Sequence, residues 1–182
     1  NSPYFYFPVT GSILPSPKGI PGYAIQGKSA YLKIADGCDR ACAYCAIPYI
    51  KGPMVSRSSL DILDGVVQLE KLGINEIILI AQDSTAYGRD LGLHDSLPDL
   101  LLSIQDAAPN IPWIRIMYTF PSSISERLIE VIASSNQIVP YLDIPLQHAH
   151  PNTLKRMRRP SDMHSVKETL QKMRTDEPNL AL

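Results

Sequence analysis

The sequence predicts an α/β fold built on a parallel sheet, because strand-like and helix-like segments alternate along most of the chain. A second observation is the continuous apolar run at residues 76–81, which is typical of a strand buried on both faces. A third is that polar or unusual residues follow each predicted strand. In parallel sheets these positions lie at one edge, where binding sites gather.

The first predicted strand covers residues 30–35, and Gly37 ends it. A helix is expected from Ser59, with Ser59 as its N-cap and Gly73 as its stop signal. The later elements are strand 76–81, helix 97–107, strand 113–118, helix 125–134, strand 141–144, short helices at 152–157 and 163–173, and the start of a fifth strand at 180–182.

Residues 1–29 are rich in proline and glycine, and we expect them to be a lead-in linker to one domain at residues 30–182. Asn1 at the start and a strand-like end lead us to expect a piece of a longer protein. The net charge of −1 gives no support for direct nucleic-acid binding. No apolar run is long enough to span a membrane. Free cysteines without a secretory signal predict a cytoplasmic location.

All three cysteines lie in one window, Cys38, Cys42 and Cys45, with the spacing C-x3-C-x2-C. Three thiolates can hold three irons of a cubane cluster and leave the fourth iron open, as a catalytic metal site requires. Gly37, directly before the window, would let the backbone approach a bulky cofactor. Tyr44 directly precedes the last cysteine. The window therefore favours a catalytic iron–sulfur centre.

Two other interpretations of the cysteines are open. A disulfide would leave one thiol over, and the spacing is not of a disulfide type. A structural zinc site would need a fourth ligand, for instance one of the histidines. The competing non-enzymatic hypothesis is thus a zinc-stabilised module that binds a ribosomal or RNA surface through residues 155–159. Its candidate fourth ligands are His94, His148, His150 and His164.

The segments around the strand ends resemble the radical SAM superfamily, whose hallmark is this cysteine spacing with an aromatic residue before the last cysteine. Within it they resemble the methylthiotransferase branch of the RimO type, which methylthiolates an aspartate of a small-subunit ribosomal protein. The resemblance runs from about residue 30 to the end. It rests on YLKIADGCDRACAYCAIPYIKG, AQDSTAYGRD, WIRIMYTFP and YLDIPLQHAHPNTLKRMRR.

The alternative within this branch is the enzyme that methylthiolates an adenosine in tRNA. That sister family tends to show Gln-Asn after the second strand and Gln-Ser-Gly after the fourth. This chain has Gln82-Asp83 and Gln147-His148-Ala149 instead, which favours the protein-modifying family.

The resemblance implies a partial radical SAM (β/α) barrel, truncated near its fifth strand, with a (4Fe–4S) cluster on Cys38, Cys42 and Cys45. The open iron would chelate S-adenosylmethionine (SAM), and a donor such as flavodoxin or ferredoxin would supply the electron. The family also has an N-terminal domain with a second (4Fe–4S) cluster and a C-terminal domain that docks the substrate. Neither is in this sequence, so we expect SAM cleavage at most and no methylthiolation.

The strand ends supply candidates for the SAM site. We expect Gln82 and Asp83 to contact SAM, and Gln147 and His148 to contact its ribose or the substrate. Tyr44 is expected to pack on the adenine or to line the cluster. Each has an ordinary alternative: Tyr44 as a core aromatic, Asp83 as a loop cap, and His148 as a structural histidine.

Three basic features complete the set. Lys51 stands where the family usually has arginine, which keeps the charge but loses bidentate geometry. Residues 155–159 form a basic cluster that is either solvated or meets an acidic surface. Arg115 lies between apolar neighbours in a predicted strand, so we expect an anionic partner for it.

Overall fold

A computed structural model describes residues 22–160 and 162–182. The strands are β1 (Tyr23–Gln26), β2 (Ser29–Lys33), β3 (Ala35–Asp36), β4 (Val55–Ser56), β5 (Glu76–Ile80), β6 (Trp113–Ile116) and β7 (Ile138–Leu142). The helices are α1 (Ile47–Lys51), α2 (Ser59–Lys71), α3 (Leu97–Ala107), α4 (Glu126–Ser134), α5 (Pro151–Arg156) and α6 (Met163–Asp176). Short 3-10 turns cover Ser84–Ala86, Arg89–Leu91 and Pro121–Ser123.

Five strands form one sheet in the order β1-β2-β5-β6-β7. The pairs β2–β5, β5–β6 and β6–β7 are parallel, and β1 joins the edge antiparallel to β2. The expected fifth parallel strand is present as one bridge, in which Ala181 pairs with Tyr141. The predicted α/β class with a parallel sheet is therefore confirmed.

The two faces of the sheet differ in chemistry. One face is fully buried and lies under α2, α3 and α4; it includes Ala30, Leu32, Ile77, Leu79, Ile114 and Ile116. The other face carries the charged pair Arg115 and Glu76, whose Nε–Oε1 distance is 2.7 Å. The Arg115 guanidinium also lies 5.1 Å from the ring centre of Tyr141. The expected anionic partner of Arg115 is thus Glu76, on the neighbouring strand.

Helix ends follow the capping signals with one correction. Ser58, not Ser59, is the N-cap of α2, and its Oγ accepts a hydrogen bond from the Asp61 N–H at 3.1 Å. Ser125 caps α4 in the same way through the Leu128 N–H. Gly73 follows α2 with a φ of 70°, as expected for a left-handed stop residue.

The lead-in prediction is wrong for its last residues. β1 lies within the segment predicted as a linker, and the turn at Gly27, with a φ of 63°, returns the chain into β2. Residues 1–21 of that prediction lie outside the described part of the chain. Their proline-rich composition had masked the short hairpin that follows them.

Strand boundaries also shift. The first predicted strand divides at Ile34, whose N–H bonds to β5 while its carbonyl accepts from Arg57 beyond β4. The strand predicted at 113–118 ends at Ile116, shortly before Tyr118, whose φ is +60°. β7 begins at Ile138 rather than at residue 141. The sequence did not predict its first residues, because Pro140 lies inside the strand and obscures the strand pattern. The elements α1 and β4 were not predicted.

None of the helices within residues 22–160 and 162–182 has the length and apolar character needed to cross a bilayer.

The core predicts a clear contrast between two neighbouring leucines of α3. Leu101 is 0% exposed and Leu102 is 43% exposed. We expect Leu101→Ala to lower the free energy of unfolding by about 2–5 kcal/mol, because it removes buried contacts and leaves a cavity. The matched Leu102→Ala should cost less than about 1 kcal/mol. Urea denaturation followed by circular dichroism measures both, and equal losses would contradict this packing.

Candidate iron–sulfur centre

The cysteines lie on a loop that is closed at its base by backbone contacts. The Cys38 N–H donates to the Gly52 carbonyl at 3.2 Å, and the Met54 N–H donates to the Asp39 carboxylate at 3.0 Å. The antiparallel pair β3–β4 lies just outside these contacts. The loop therefore leaves the domain through a narrow base, which limits how far its thiols can move.

Gly37 is required by the backbone packing at this base. Its φ is +72°, and a Cβ atom built there would lie 2.0 Å from the Pro53 carbonyl oxygen. The sequence had suggested that glycine lets the backbone approach a cofactor. The structure shows that the close approach is between the two chain segments that enter and leave the loop.

The three thiols differ in environment. Cys38 is buried, while Cys42 and Cys45 are half-buried. Burial raises the pKa of the Cys38 thiol, and this outweighs the opposing hydrogen bond from the Arg40 N–H. A bound metal would hold this sulfur as a thiolate despite its burial.

The number of thiols suits an iron–sulfur cluster. Cys38, Cys42 and Cys45 are all free thiols on one loop. A cubane cluster can take one cysteine on each of three irons, so three thiols would leave the fourth iron open. Within residues 22–160 and 162–182, no group of three His, Cys, Asp or Glu side chains is already gathered around one point.

Arg40, inside the cysteine window, attaches the loop to the strand ends. Its Nε lies 2.7 Å from Asp83 Oδ2, directly beyond β5. Its Nη2 donates to Ser123 Oγ at 2.7 Å, in the turn beyond β6. Because Asp83 is only 4% exposed, this ion pair is largely shielded from solvent.

Both carboxylate oxygens of Asp83 are engaged by protein groups. The second oxygen accepts a hydrogen bond from Thr85 Oγ1 at 2.5 Å, beside the contact with Arg40. Asp83 therefore positions the cysteine loop, and its contact with SAM stays a prediction.

A second arginine holds the other side of the loop. The guanidinium of Arg159 lies 4.1 Å from the ring centre of Phe120, and that of Arg40 lies 3.7 Å from the same ring. Arg159 also donates to Cys42 Sγ at 3.9 Å and to the Pro145 carbonyl. Two guanidinium groups on one aromatic ring join the loop, the end of β6 and the segment after α5.

Sequence reasoning missed the roles of Arg40, Phe120 and Arg159. Arg159 belongs to the basic cluster at residues 155–159, whose members Lys155, Arg156 and Arg158 are exposed as a solvated surface would be. Arg159 alone is half-buried among them. In the sequence, Arg159 was marked only as the last residue of the motif at the fourth predicted strand. Its role depends on the contact with Cys42, which lies 117 residues away along the chain.

A cavity of about 440 Å³ opens beside the base of the loop, at the ends of β2 and β5. Gln82 lies in its wall, and the buried Oε1 atom of Gln82 has no hydrogen-bond partner among the described residues. A buried acceptor without a donor is costly, so this position suits a ligand that donates a hydrogen bond. The full lining is Lys33, Ala35, Lys51, Ile80, Ala81, Gln82 and Tyr118.

Two lysines of this lining share one carboxylate. Lys33 Nζ lies 3.0 Å from Asp36 Oδ2, and Lys51 Nζ lies 2.7 Å from Asp36 Oδ1. Burial alone would raise the pKa of Asp36, but the hydrogen bonds from Lys51 and Lys33 outweigh it and hold the pKa below its usual value. The cavity wall thus carries two positive charges, and the carboxylate of Asp36 pairs with both of them from beside the lining.

The remaining predicted residues lie apart from the cavity lining. Tyr44 is 50% exposed, which excludes its alternative role as a core aromatic. Gln147 and His148 are exposed, and Gln147 has a φ of +68°. His148 Nδ1 accepts a hydrogen bond from the His150 N–H at 2.9 Å. The structure brings Gln82 to the cavity but leaves Gln147 and His148 on an outer loop.

Sequence relatives point to one kind of protein. A relative from Roseiflexus sp. (strain RS-1), named ribosomal protein uS12 methylthiotransferase RimO, is 49% identical over 158 residues. The alignment covers 87% of this chain and 34% of that protein. The relative of the same name from Syntrophomonas wolfei is 41% identical over 181 residues, covering 100% of this chain and 39% of that protein. The chain spans about a third of the length of these relatives.

Solved structures show the same fold in a more distant protein. The radical SAM methyltransferase TsrM from Kitasatospora setae, solved with cobalamin and a (4Fe–4S) cluster, has a TM-score of 0.62 and 16% identity. The match covers 80% of this chain and 28% of TsrM. A second TsrM structure, with tryptophan and a SAM analogue, also has a TM-score of 0.62. At this identity the likeness concerns the fold alone.

A match to a protein family agrees with the fold and with the cysteine loop. The radical SAM superfamily matches residues 32–175, which include the cysteine loop, the residues that line the cavity, and the parallel strands β5, β6 and β7. Membership confirms the predicted cofactor pair at the level of the family, namely a (4Fe–4S) cluster and SAM. By its cysteine loop, its parallel sheet and this match, the chain belongs to the radical SAM superfamily.

Proposed function

We propose that this chain is the cofactor-binding core of a methylthiotransferase that modifies an aspartate of ribosomal protein uS12. The support is the shared name of relatives that are 41–49% identical to it. The pairs Gln82-Asp83 and Gln147-His148 favour this reaction over the modification of tRNA adenosine. The proposal assigns to the chain the cluster and SAM, and does not assign to it the docking of the folded ribosomal protein as a whole.

The cluster ligands in this proposal are Cys38, Cys42 and Cys45. The observation that carries it is the loop itself, with three thiols on a closed base and two guanidinium groups packed against it. Arg159 faces Cys42 Sγ, and the Arg40 N–H faces Cys38 Sγ at 3.4 Å. Donors and positive charge at the sulfurs stabilise an anionic cluster and help to set its reduction potential.

SAM would occupy the region between the loop and the cavity. The orphaned Oε1 of Gln82 would accept a hydrogen bond from a donor group of SAM, and the exposed ring of Tyr44 would pack on its adenine. When bound, the cluster and SAM together supply a one-electron cleavage and a hydrogen abstraction from the substrate. The chain's own part is to hold both cofactors and to limit the access of water.

The same proposal includes a cytoplasmic location and an electron donor of the flavodoxin or ferredoxin type. A reduced cluster is needed for each cleavage, and such a carrier delivers single electrons. In the complete protein, a second (4Fe–4S) cluster would take part in sulfur transfer.

The cluster assignment predicts the behaviour of single cysteine variants. After anaerobic reconstitution with iron and sulfide and then reduction, the chain should show an electron paramagnetic resonance signal that changes when SAM is added. Cys38→Ala, Cys42→Ala and Cys45→Ala should each lose that signal, because no other cysteine in the chain can replace the ligand. His148→Ala should keep it. If the chain instead contains one zinc ion per molecule, and replacement of a histidine removes that zinc, the zinc-stabilised module is supported.

The SAM assignment predicts a specific effect at Gln82. Gln82→Leu should weaken SAM binding about three- to tenfold, the range expected for one hydrogen bond. Gln171→Leu, on the exposed side of α6, is the matched control and should bind SAM as the unmodified chain does. Titration of the reduced cluster signal with SAM measures both affinities. Equal affinity in the two variants would remove Gln82 from the site.

A further inference from the structure

We propose that Lys33 and Lys51 form a carboxylate-binding site in the cavity wall and that this site receives the side chain of the target aspartate. The inference rests on the proposed function, since it requires a substrate that presents an aspartate. It adds a specificity determinant that discriminates the charged aspartate side chain from its neutral amide counterpart.

The ammonium groups of Lys33 and Lys51 lie close together, and only one carboxylate balances their two positive charges. They contact the two oxygens of one carboxylate, that of Asp36, at 3.0 Å and 2.7 Å. Each ammonium has three N–H donors, and among the described contacts each uses one of them on Asp36. Two positive charges and one negative charge leave a net charge of +1. A second carboxylate would neutralise it and relieve the repulsion between the lysines.

The degree of burial suits a ligand. The side chains of Lys33 and Lys51 are 43% and 35% exposed, so both can be reached from the cavity. At the same time Asp36, at 20% exposure, fixes the two ammonium groups in place. Because the lysines are already ordered, a ligand loses less free energy to the immobilisation of side chains.

The site lies next to the cysteine loop. Lys51 is the last residue of α1 and precedes Gly52, whose carbonyl closes the loop base through Cys38. Lys33 is the last residue of β2, and the cavity between them is also lined by Ile80, the last residue of β5. A carboxylate held there lies at the strand ends, where this class of fold places its chemistry.

Tyr118 provides an independent sign of function at the same cavity. It has a φ of +60°, an uncommon conformation for a residue with a side chain. The conformation is held by the Ser84 N–H, which donates to the Tyr118 carbonyl at 2.9 Å, and by the Tyr118 N–H, which donates to Asp143 at 3.3 Å. Its ring is 47% exposed and lines the cavity. Such strain persists where surrounding contacts impose it, and it clusters at ligand sites.

The carboxylate of SAM itself is the other source of this chemistry. In the family resemblance, that group is assigned to the open iron of the cluster, so it does not require the two lysines. The target aspartate has no other cationic partner in the cavity lining, whose only basic residues in the described chain are Lys33 and Lys51. We therefore assign the site to the substrate.

The test compares two peptides on the reconstituted, SAM-loaded chain. One is a uS12 peptide with the target aspartate, and the other has asparagine at that position. Fluorescence anisotropy should show about tenfold tighter binding of the aspartate peptide, the effect expected for a hydrogen bond to a charged group. Lys33→Gln and Lys51→Gln should abolish this preference. Lys51→Arg, which restores the residue usual in the family, should keep it.

Lys28→Gln is the matched control, because Lys28 precedes β2 at its opposite end and donates to the Gly73 carbonyl. It should retain the preference for aspartate. An unmodified chain that binds both peptides equally, or neither, overturns the carboxylate site. The carboxylate site is also overturned if Lys33→Gln or Lys51→Gln removes the change that SAM causes in the cluster signal, because the lysines would then bind SAM. A cluster in the unmodified chain that does not respond to SAM would contradict the proposed function itself.

Discussion

The stacking of two guanidinium groups on Phe120 is the interaction on which the site depends. Arg40 comes from the cysteine window, Arg159 from the segment after α5, and Phe120 from the segment after β6, so the one ring joins three parts of the chain. Arg40 is also held by its ion pair with the buried Asp83. Loss of one partner of such a pair leaves an uncompensated charge, which typically costs about 3–5 kcal/mol. The loop therefore belongs to the rigid part of the domain even though its cysteines are partly exposed.

The sheet makes this arrangement possible through the difference between its two faces. The face under α2, α3 and α4 is uniformly apolar and supplies the packing that stabilises the domain. The opposite face can then carry charges, among them Arg115 with Glu76 and Lys33 with Asp36. Each of these charges is paired, which reduces the cost of placing it on a partly buried surface. Stability and chemistry are thus assigned to different sides of the same strands.

The family match and the positive groups at the thiols both favour the cluster hypothesis. Membership of the radical SAM superfamily implies a (4Fe–4S) cluster. Arg159 donates to Cys42 Sγ and the Arg40 N–H donates to Cys38 Sγ, and such donors suit an anionic cluster. The position of Lys51 supports the same view, because it keeps a positive charge at the cavity where the family usually has arginine.

Local patterns in the sequence determined the α/β class, the bounds of α3 and the cysteine window, because periodicity, caps and spacing act over a few residues. The tertiary structure alone decided that Asp83 pairs with Arg40, that Arg159 reaches Cys42, and that Gln82 lines a cavity while Gln147 does not. It also placed β1 in a segment predicted as a linker. The physical reason is distance along the chain: the Arg40–Asp83 contact spans 43 residues and the Arg159–Cys42 contact spans 117. Such contacts depend on how strands are paired and leave no periodic trace in the sequence.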